Sequence, residues 1–271
     1  MLAAQRQKLI ADEIRREGAV RVSELTSLLD VSEVTIRRDL DVLESAGLID
    51  KVHGGATARG SLSAQEPGFE AKSHRQLKEK DAIARAASRL VQPGQSIGLS
   101  AGTTTWRLAQ HLAQIPDLTV VTNSIPVANV LHRAARPDLT VVLTGGVRTP
   151  SDALVGPVAL TTIRSLHLDV LYLGVHGVTQ DAGLTTPNLL EAEIDRAFVT
   201  ASEELVVVVD HTKWGVRGLS RIAGLEDVNV FVSDSGLTPD ARTVIGERVE
   251  RLVIAPAREG SRRRYGEGPP A

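Results

Sequence analysis

Apolar residues near the start of the chain recur at helical spacing. Leu9, Ile10 and Ile14 lie among charged residues between Leu2 and Glu17, which predicts an amphipathic first helix ended by Gly18. Ser23 to Leu29 predicts a short second helix capped by Ser23, and Asp30-Val31 a tight link. Ser32 opens the next helix, because its hydroxyl can accept one of the N–H groups that a first turn leaves unpaired. On that helix Ile36, Leu40 and Leu43 share one side, while Arg37, Arg38, Asp41 and Ser45 share the other. Leu48, Ile49 and Val52, with charges between them, predict a strand entering a tight hairpin at His53-Gly54-Gly55. Together these elements predict a winged helix-turn-helix domain over residues 1–57.

Residues 58–76 are small, polar and broken by Gly and Pro, the composition of an exposed linker. From Leu77 apolar helices alternate with short β-branched runs, the pattern of an α/β sheet with crossover helices, and this second domain extends over 77–256. Asp81 to Val91 predicts a helix with Ile83, Ala87 and Leu90 inward, turned by Pro93-Gly94. Ile97–Ser100, Leu118–Val121, Leu139–Leu143, Val170–Leu173 and Leu205–Val209 predict mostly parallel core strands, with Val228–Val232 a sixth. The tail, 257–271, carries Arg262 to Arg264 followed by Gly and Pro, and predicts a disordered, solvated end.

Composition narrows the class. The 271 residues are 42 % hydrophobic, with a formal net charge of -2, so no global attraction to nucleic acid or acidic membranes is expected. Met1 to Gly60 holds nine Lys or Arg against ten Asp or Glu, so any DNA-facing charge must be concentrated on one face. With no cysteine, disulfides and thiolate metal sites are excluded, which suits a reducing cytoplasm. Neither a signal peptide nor a membrane span is expected. The seven histidines lack metal-ligand spacing, and neither metal nor cofactor is predicted.

Two constellations carry candidate chemistry. In a helix-turn-helix the second helix enters the major groove, where Arg pairs with guanine and small apolar groups touch thymine methyls. Arg37 and Arg38 are candidate base readers or phosphate clamps, with Val34 and Thr35 near the bases and Ser32 and His53 completing the DNA-facing set. The second constellation lies beyond the carboxyl ends of the predicted strands, where ligands collect in open α/β sheets. There stand Ser100 with Gly102, Thr103, Thr104 and Thr105, then Asn123 and Ser124, Gly145 and Gly146, His176, and finally Asp210 with Lys213. The N–H groups of Thr103 to Thr105 open a helix whose N-terminal end bears about half a positive charge, a seat for phosphate. Lys213 supplies a full charge. Taken singly, Gly102 to Thr105 also reads as a plain helix start and Gly145-Gly146 as a turn.

VSEVTIRRDLDVLESAGL followed by KVHGGA resembles the N-terminal signature of the DeoR family of bacterial transcriptional regulators. VTNS, LTGG, the GLTT of Gly183 to Thr186 and DHTKWG resemble that family's effector domain, so the likeness covers roughly Gln5 to Asp234. The resemblance implies a C-terminal fold similar to ribose-5-phosphate isomerase and a phosphorylated sugar as effector. It also implies a repressor of carbohydrate metabolism acting on double-stranded operator DNA as a homo-oligomer, dimer or tetramer. One departure stands out. The family shows Asp-Ser-Gly-Thr-Thr where this chain has Ser100, Ala101, Gly102, Thr103 and Thr104, so a carboxylate able to meet sugar hydroxyls is missing. Two alternatives remain at this level. One is a sugar-phosphate isomerase with an added DNA-binding domain, its base drawn from Asp210, Glu191 or His176. The other is a DNA-binding protein whose second domain only oligomerises.

Overall fold

The computed structural model describes residues 2–17, 19–52, 55–58 and 68–256. The chain divides after residue 65 into two compact units.

The first unit runs α1 (Ala3–Glu17), β1 (Ala19–Arg21), α2 (Val22–Leu29), α3 (Glu33–Ser45), β2 (Ile49–Val52) and β3 (Gly55–Ala58). Its core is the apolar side that the helical spacing marks: Ile10, Ile14, Leu25, Ile36, Leu40 and Leu43 are buried together with Ile49 and Ala56. Three helices and a small antiparallel sheet, ordered β1-β3-β2, make a winged helix-turn-helix. Strand β1, three residues paired with β3 from Ala19↔Thr57 to Arg21↔Gly55, is too short to show a period in the sequence. Asp30 takes a left-handed φ of 50°, which turns the chain sharply between α2 and α3 and which Asp tolerates better than most residues. The expectation that Ser23 caps α2 is corrected. The helix begins one residue earlier, at Val22, and Ser23 instead offers its carbonyl to the hydroxyls of Thr26 and Ser27.

The second unit begins with a short helix, α4 (Phe69–Ser73), inside the stretch expected to be linker. It is joined to its unit by a bond from the Phe69 N–H to the Pro150 carbonyl and by the edge-on packing of Phe69 against Trp106. Then follow α5 (Leu77–Ser88), β4 (Ser96–Leu99), α6 (Thr103–Leu112), β5 (Leu118–Thr122), α7 (Ile125–Arg133) and β6 (Leu139–Leu143). The hairpin β7 (Val147–Arg148) and β8 (Leu154–Val155) leads to α8 (Pro157–Arg164) and β9 (Leu168–Leu173). The remainder is β10 (Gly177–Thr179), β11 (Gly183–Thr186), α9 (Leu189–Ala201), β12 (Ser202–Val208), β13 (Ser220–Ala223), β14 (Val230–Asp234), α10 (Pro239–Gly246) and β15 (Arg251–Ala255).

Seven strands form one sheet in the order β15-β14-β12-β9-β4-β5-β6, and every neighbouring pair is parallel. Alternation along the strands divides the core into two layers. Val170, Tyr172, Val206 and Val208 pack under α5, α6 and α7, whereas Leu171, Leu173, Leu205 and Val207 pack under α8, α9 and α10. Gly98 admits the second layer: a Cβ there would lie 3.0 Å from Leu168 and Leu171 side chains and 3.4 Å from Phe198. A separate antiparallel sheet, β10-β11-β13, escapes the sequence reading, as does β15, whose Arg251–Ala255 run is only partly buried.

The chain leaves β4 toward β5 and β6 on one side, then returns to β9 on the other. The strand order therefore reverses between β4 and β9, and the crevice beyond their carboxyl ends is where such a sheet accommodates a ligand.

Candidate functional site

Helix α3 displays what its wheel predicts. Ser32 caps it, its Oγ accepting the Thr35 N–H at 3.3 Å and lying 2.8 Å from the Thr35 hydroxyl. Those two hydroxyls thus hold each other at the helix start. Val34 is 70 % exposed, unusual for a branched apolar residue with a buried alternative on the same helix, and it stands on the first turn where a groove-reading helix touches bases. Arg37 pairs with Glu33 at 2.7 Å, one turn back, both largely in solvent. Arg38 is exposed and makes no hydrogen bond or ion pair with the described residues, so its guanidinium is the more available of the two. His53, the expected wing contact, and Gly54 lie outside the described residues.

Asp39 carries a role that the wheel does not reveal. It is 3 % exposed and accepts from Arg6 Nε at 2.5 Å, from the Arg6 fork again at 3.2 Å and from Gln7 Nε2 at 2.9 Å. A buried carboxylate held bidentately by Arg locks α1 across α3 and fixes the angle at which α3 is presented. Lys51 of β2 likewise reaches back to Asp41, and its N–H bonds Glu44 at 3.1 Å, tying wing to helix.

In the second unit the expected polar residues do gather at one sheet edge, but most spend their polar groups on the fold. Ser100 Oγ accepts the Gly174 N–H at 3.1 Å, stitching the ends of β4 and β9. Asn123 accepts the Ala101 N–H at 2.9 Å and donates to the Leu154 carbonyl, while Ser124 caps α7. Gly146, at φ 118°, lies so close to β8 that a Cβ would come within 2.4 Å of the Val155 carbonyl, and Gly145 adjoins Val158. These residues build the crevice wall. His176 follows β9, its N–H on the Thr185 carbonyl. The Asp210 carboxylate is taken up by the N–H and hydroxyl of Thr212, and Glu191 accepts the Thr149 hydroxyl.

What remains for a ligand is the start of α6 and a group of cations. No side chain caps α6, its Gly102 is extended at φ 167°, and only the Thr105 hydroxyl turns back, onto the Gly102 carbonyl at 3.0 Å. The Thr103 and Thr104 hydroxyls make no hydrogen bond with the described residues. A Cβ on Gly174 would stand 3.6 Å from Thr105 Cγ2 and 3.9 Å from the Val208 carbonyl, which puts the ends of β4, β9 and β12 side by side.

Beyond β12 a single 3-10 turn, His211–Lys213, presents Lys213. Burial pushes the Lys213 amine below its ordinary pKa; Asp210 opposes the shift, and Lys72 and Arg75 add to it. Lys80, 3 % exposed, is lowered to about 8 by burial against Asp210's opposition, with Lys213, Lys72 and Arg75 adding repulsion. Sequence reading found Lys213 and Asp210 but missed Lys72, Arg75 and Lys80. The one signal for them is that five of the six lysines fall outside the winged domain's helices, three of them at 72, 78 and 80. Among the described residues no group of His, Cys, Asp and Glu could hold a metal.

His211 is fixed from the neighbouring strand. Its Nδ1 lies 2.7 Å from Asp234, which also accepts the His211 N–H at 2.7 Å and the Gly236 N–H at 2.8 Å. Burial alone would raise the Asp234 pKa, yet these bonds hold it below the ordinary carboxylate range.

A winged helix-turn-helix followed by a parallel α/β sheet with a group of cations around Asp210 has the make-up of a ligand-sensing DNA-binding regulator. Two family models match in tandem: a DeoR-like helix-turn-helix domain over residues 6–61 and a DeoR C terminal sensor domain over residues 75–235. The chain belongs to the DeoR family of transcriptional regulators and is not an enzyme. It is 36 % identical over 259 residues to the transcriptional regulator GlpR of Haloferax volcanii, covering 95 % of this chain and all of that one. It is 32 % identical over 252 residues to the transcriptional repressor AccR of Agrobacterium fabrum, covering 92 % and 96 %. A solved D-ribose-5-phosphate isomerase in complex with phospho-erythronic acid matches 50 % of this chain and 52 % of its own, at 17 % identity and a TM-score of 0.37. No helix among the described residues is long and apolar enough to cross a membrane.

Proposed function

We propose that this regulator is a cytoplasmic repressor of a carbohydrate-metabolism operon, whose affinity for double-stranded operator DNA is altered by a phosphorylated sugar at the carboxyl edge of the large sheet. The observation that carries the reading is the grouping of Lys80 and Lys213 around Asp210, past the carboxyl end of β12, on a sheet whose α6 start has no side-chain cap. Two crowded amines, each held below its ordinary pKa by burial, and the N–H groups of an uncapped helix start favour a compact dianion over a neutral sugar. Thr103 and Thr104 add hydroxyls for the phosphoryl oxygens. The missing carboxylate at Ser100 shifts recognition of the sugar itself to other groups.

On the DNA side, Arg38 and Val34 read the major groove, Arg37 exchanges Glu33 for a phosphate or a base, and Ser32 and Thr35 approach the backbone. The protein acts as a homo-oligomer, since two half-sites about 34 Å apart need two reading helices. Exposed Leu143, Val147 and Val158, grouped beside the edge strand β6, support an apolar contact between copies. A coupling of about 1–3 kcal/mol between the sites suffices for severalfold to hundredfold regulation. The test is anisotropy of labelled promoter fragments against random duplex at moderate salt, with and without a panel of pentose and hexose phosphates. Preference for one fragment, changed by one compound, is expected; equal binding to all duplexes sinks the reading.

A further inference from the structure

We propose that the segment by which the chain enters the second unit, Gly68 to Lys80, is itself part of the anion site. Lys72, Arg75 and Lys80 close on the phosphoryl group together with Lys213, so that occupancy clamps α4 to the sheet edge. The inference rests on the phosphorylated-effector reading above and adds the element through which the ligand acts.

Helix α4 has five residues and buries none of them, so neither length nor core packing holds it. Four contacts help to hold it. The Phe69 N–H donates to the Pro150 carbonyl at 3.2 Å, and the Phe69 ring stands edge-on to Trp106 with centroids 5.7 Å apart. Lys72 Nζ donates to Ser151 Oγ at 2.9 Å, and Lys80 Nζ donates to the Lys72 carbonyl at 2.8 Å. Two of the four are made by the amines that gather around Asp210 and Lys213. An element with few buried apolar contacts opens at low cost, and a ligand that recruits its cations changes that cost directly.

The joint behind α4 has a conformational bias of its own. Gln76 sits at φ 49°, a left-handed backbone that a non-glycine side chain disfavours, and it separates α4 from α5. Lys80 lies on the first turn of α5 and uses one of three ammonium donors to hold the end of α4. The charged groups facing it are Asp210, Lys213, Lys72 and Arg75. A phosphate monoester brings up to two negative charges and three acceptor oxygens, which relieve the repulsion among these cations. Lys72 and Arg75 already hold partners within the protein, so binding exchanges contacts.

The experiment uses the full chain, with inorganic phosphate and, in parallel, the sugar-phosphate panel as probes at matched ionic strength. Melting temperature reports binding, and hydrogen exchange reports the amides of 69–76. Phosphate or a sugar phosphate is expected to raise the melting point and slow exchange in 69–76 about tenfold or more. Lys72→Gln, Arg75→Gln and Lys80→Met are each expected to weaken binding about tenfold and to abolish the protection. Lys72→Gln, on a helix with no buried residue, keeps the test open should Lys80→Met fail to fold. If Lys213→Met loses binding while Lys72→Gln and Arg75→Gln keep it, and 69–76 gain no protection, the clamp is refuted and the effector reading stands. Binding that needs these residues yet leaves exchange in 69–76 unchanged also refutes the clamp. If no phosphorylated compound binds the wild-type protein, the effector reading fails first and the clamp with it.

Discussion

The reading helix and the sheet edge use polar residues in opposite ways. On α3 the side that the wheel leaves polar is in solvent, with Val34, Arg37 and Arg38 exposed and Ile36, Leu40 and Leu43 buried. At the sheet edge Ser100, Asn123, Ser124 and Asp210 are nearly inaccessible and bonded to neighbouring loops. A helix satisfies its own backbone and leaves its outer side chains free. A loop at a strand end has unpaired N–H and C=O groups that nearby hydroxyls and amides must satisfy first. Polar residues at strand ends are therefore wall-builders as often as ligands, and the cations from elsewhere in the chain are the discriminating feature.

Four outcomes would break or sharpen this contrast. The largest concerns the helix core: Leu40→Ala is expected to destabilise the winged unit by about 2–5 kcal/mol, read as a lost first transition in calorimetry with the second unit's melting unchanged. Melting of both units together would show that they are not independent. Arg38→Ala is expected to weaken operator binding by about 1–3 kcal/mol and to leave sugar-phosphate affinity intact. Arg37→Ala should cost less, because Arg37 must first give up Glu33, and a reversed ranking in anisotropy titrations would make Arg37 the reader.

The third is pH. Lys80 has its pKa lowered from 10.5 to about 8, so between those values the unfolded chain holds more protons and the Lys80 contribution to stability rises with pH. Anion binding moves the other way, since it needs the ammonium. Sugar-phosphate affinity is expected to fall about tenfold per pH unit above pH 8 for each proton taken up, and to weaken again below about 6 as the monoester loses its second charge. A flat calorimetric profile from pH 7 to 9.5 would remove Lys80 from the site. The smallest effect is Ser32→Ala, which removes the α3 cap and is expected to cost about 1 kcal/mol by chemical denaturation, with no change at the sheet edge.

Legibility differed between the units for the same reason. Ser32, Ile36, Leu40 and Leu43 could be assigned from spacing alone, because one helix obeys one period. Six of the seven parallel strands were visible as β-branched runs. Helix α4 was not: Phe69 to Ser73 has the composition of a connection, and only its contacts to Pro150, Trp106 and Ser151 show what it does. Asp39 was hidden because its partner, Arg6, lies 33 residues away.

Periodicity and local capping determined the winged helix, the succession of strands and helices, and the strand ends where a ligand would gather, since these depend on neighbours within about one or two turns of chain. The tertiary structure decided the strand order and so the position of the crevice between β4 and β9. It decided too which polar residues were already spent on the fold, and that amines at 72, 80 and 213 converge. Those outcomes depend on contacts between residues tens to more than a hundred positions apart, and no local pattern in an amino-acid sequence records them.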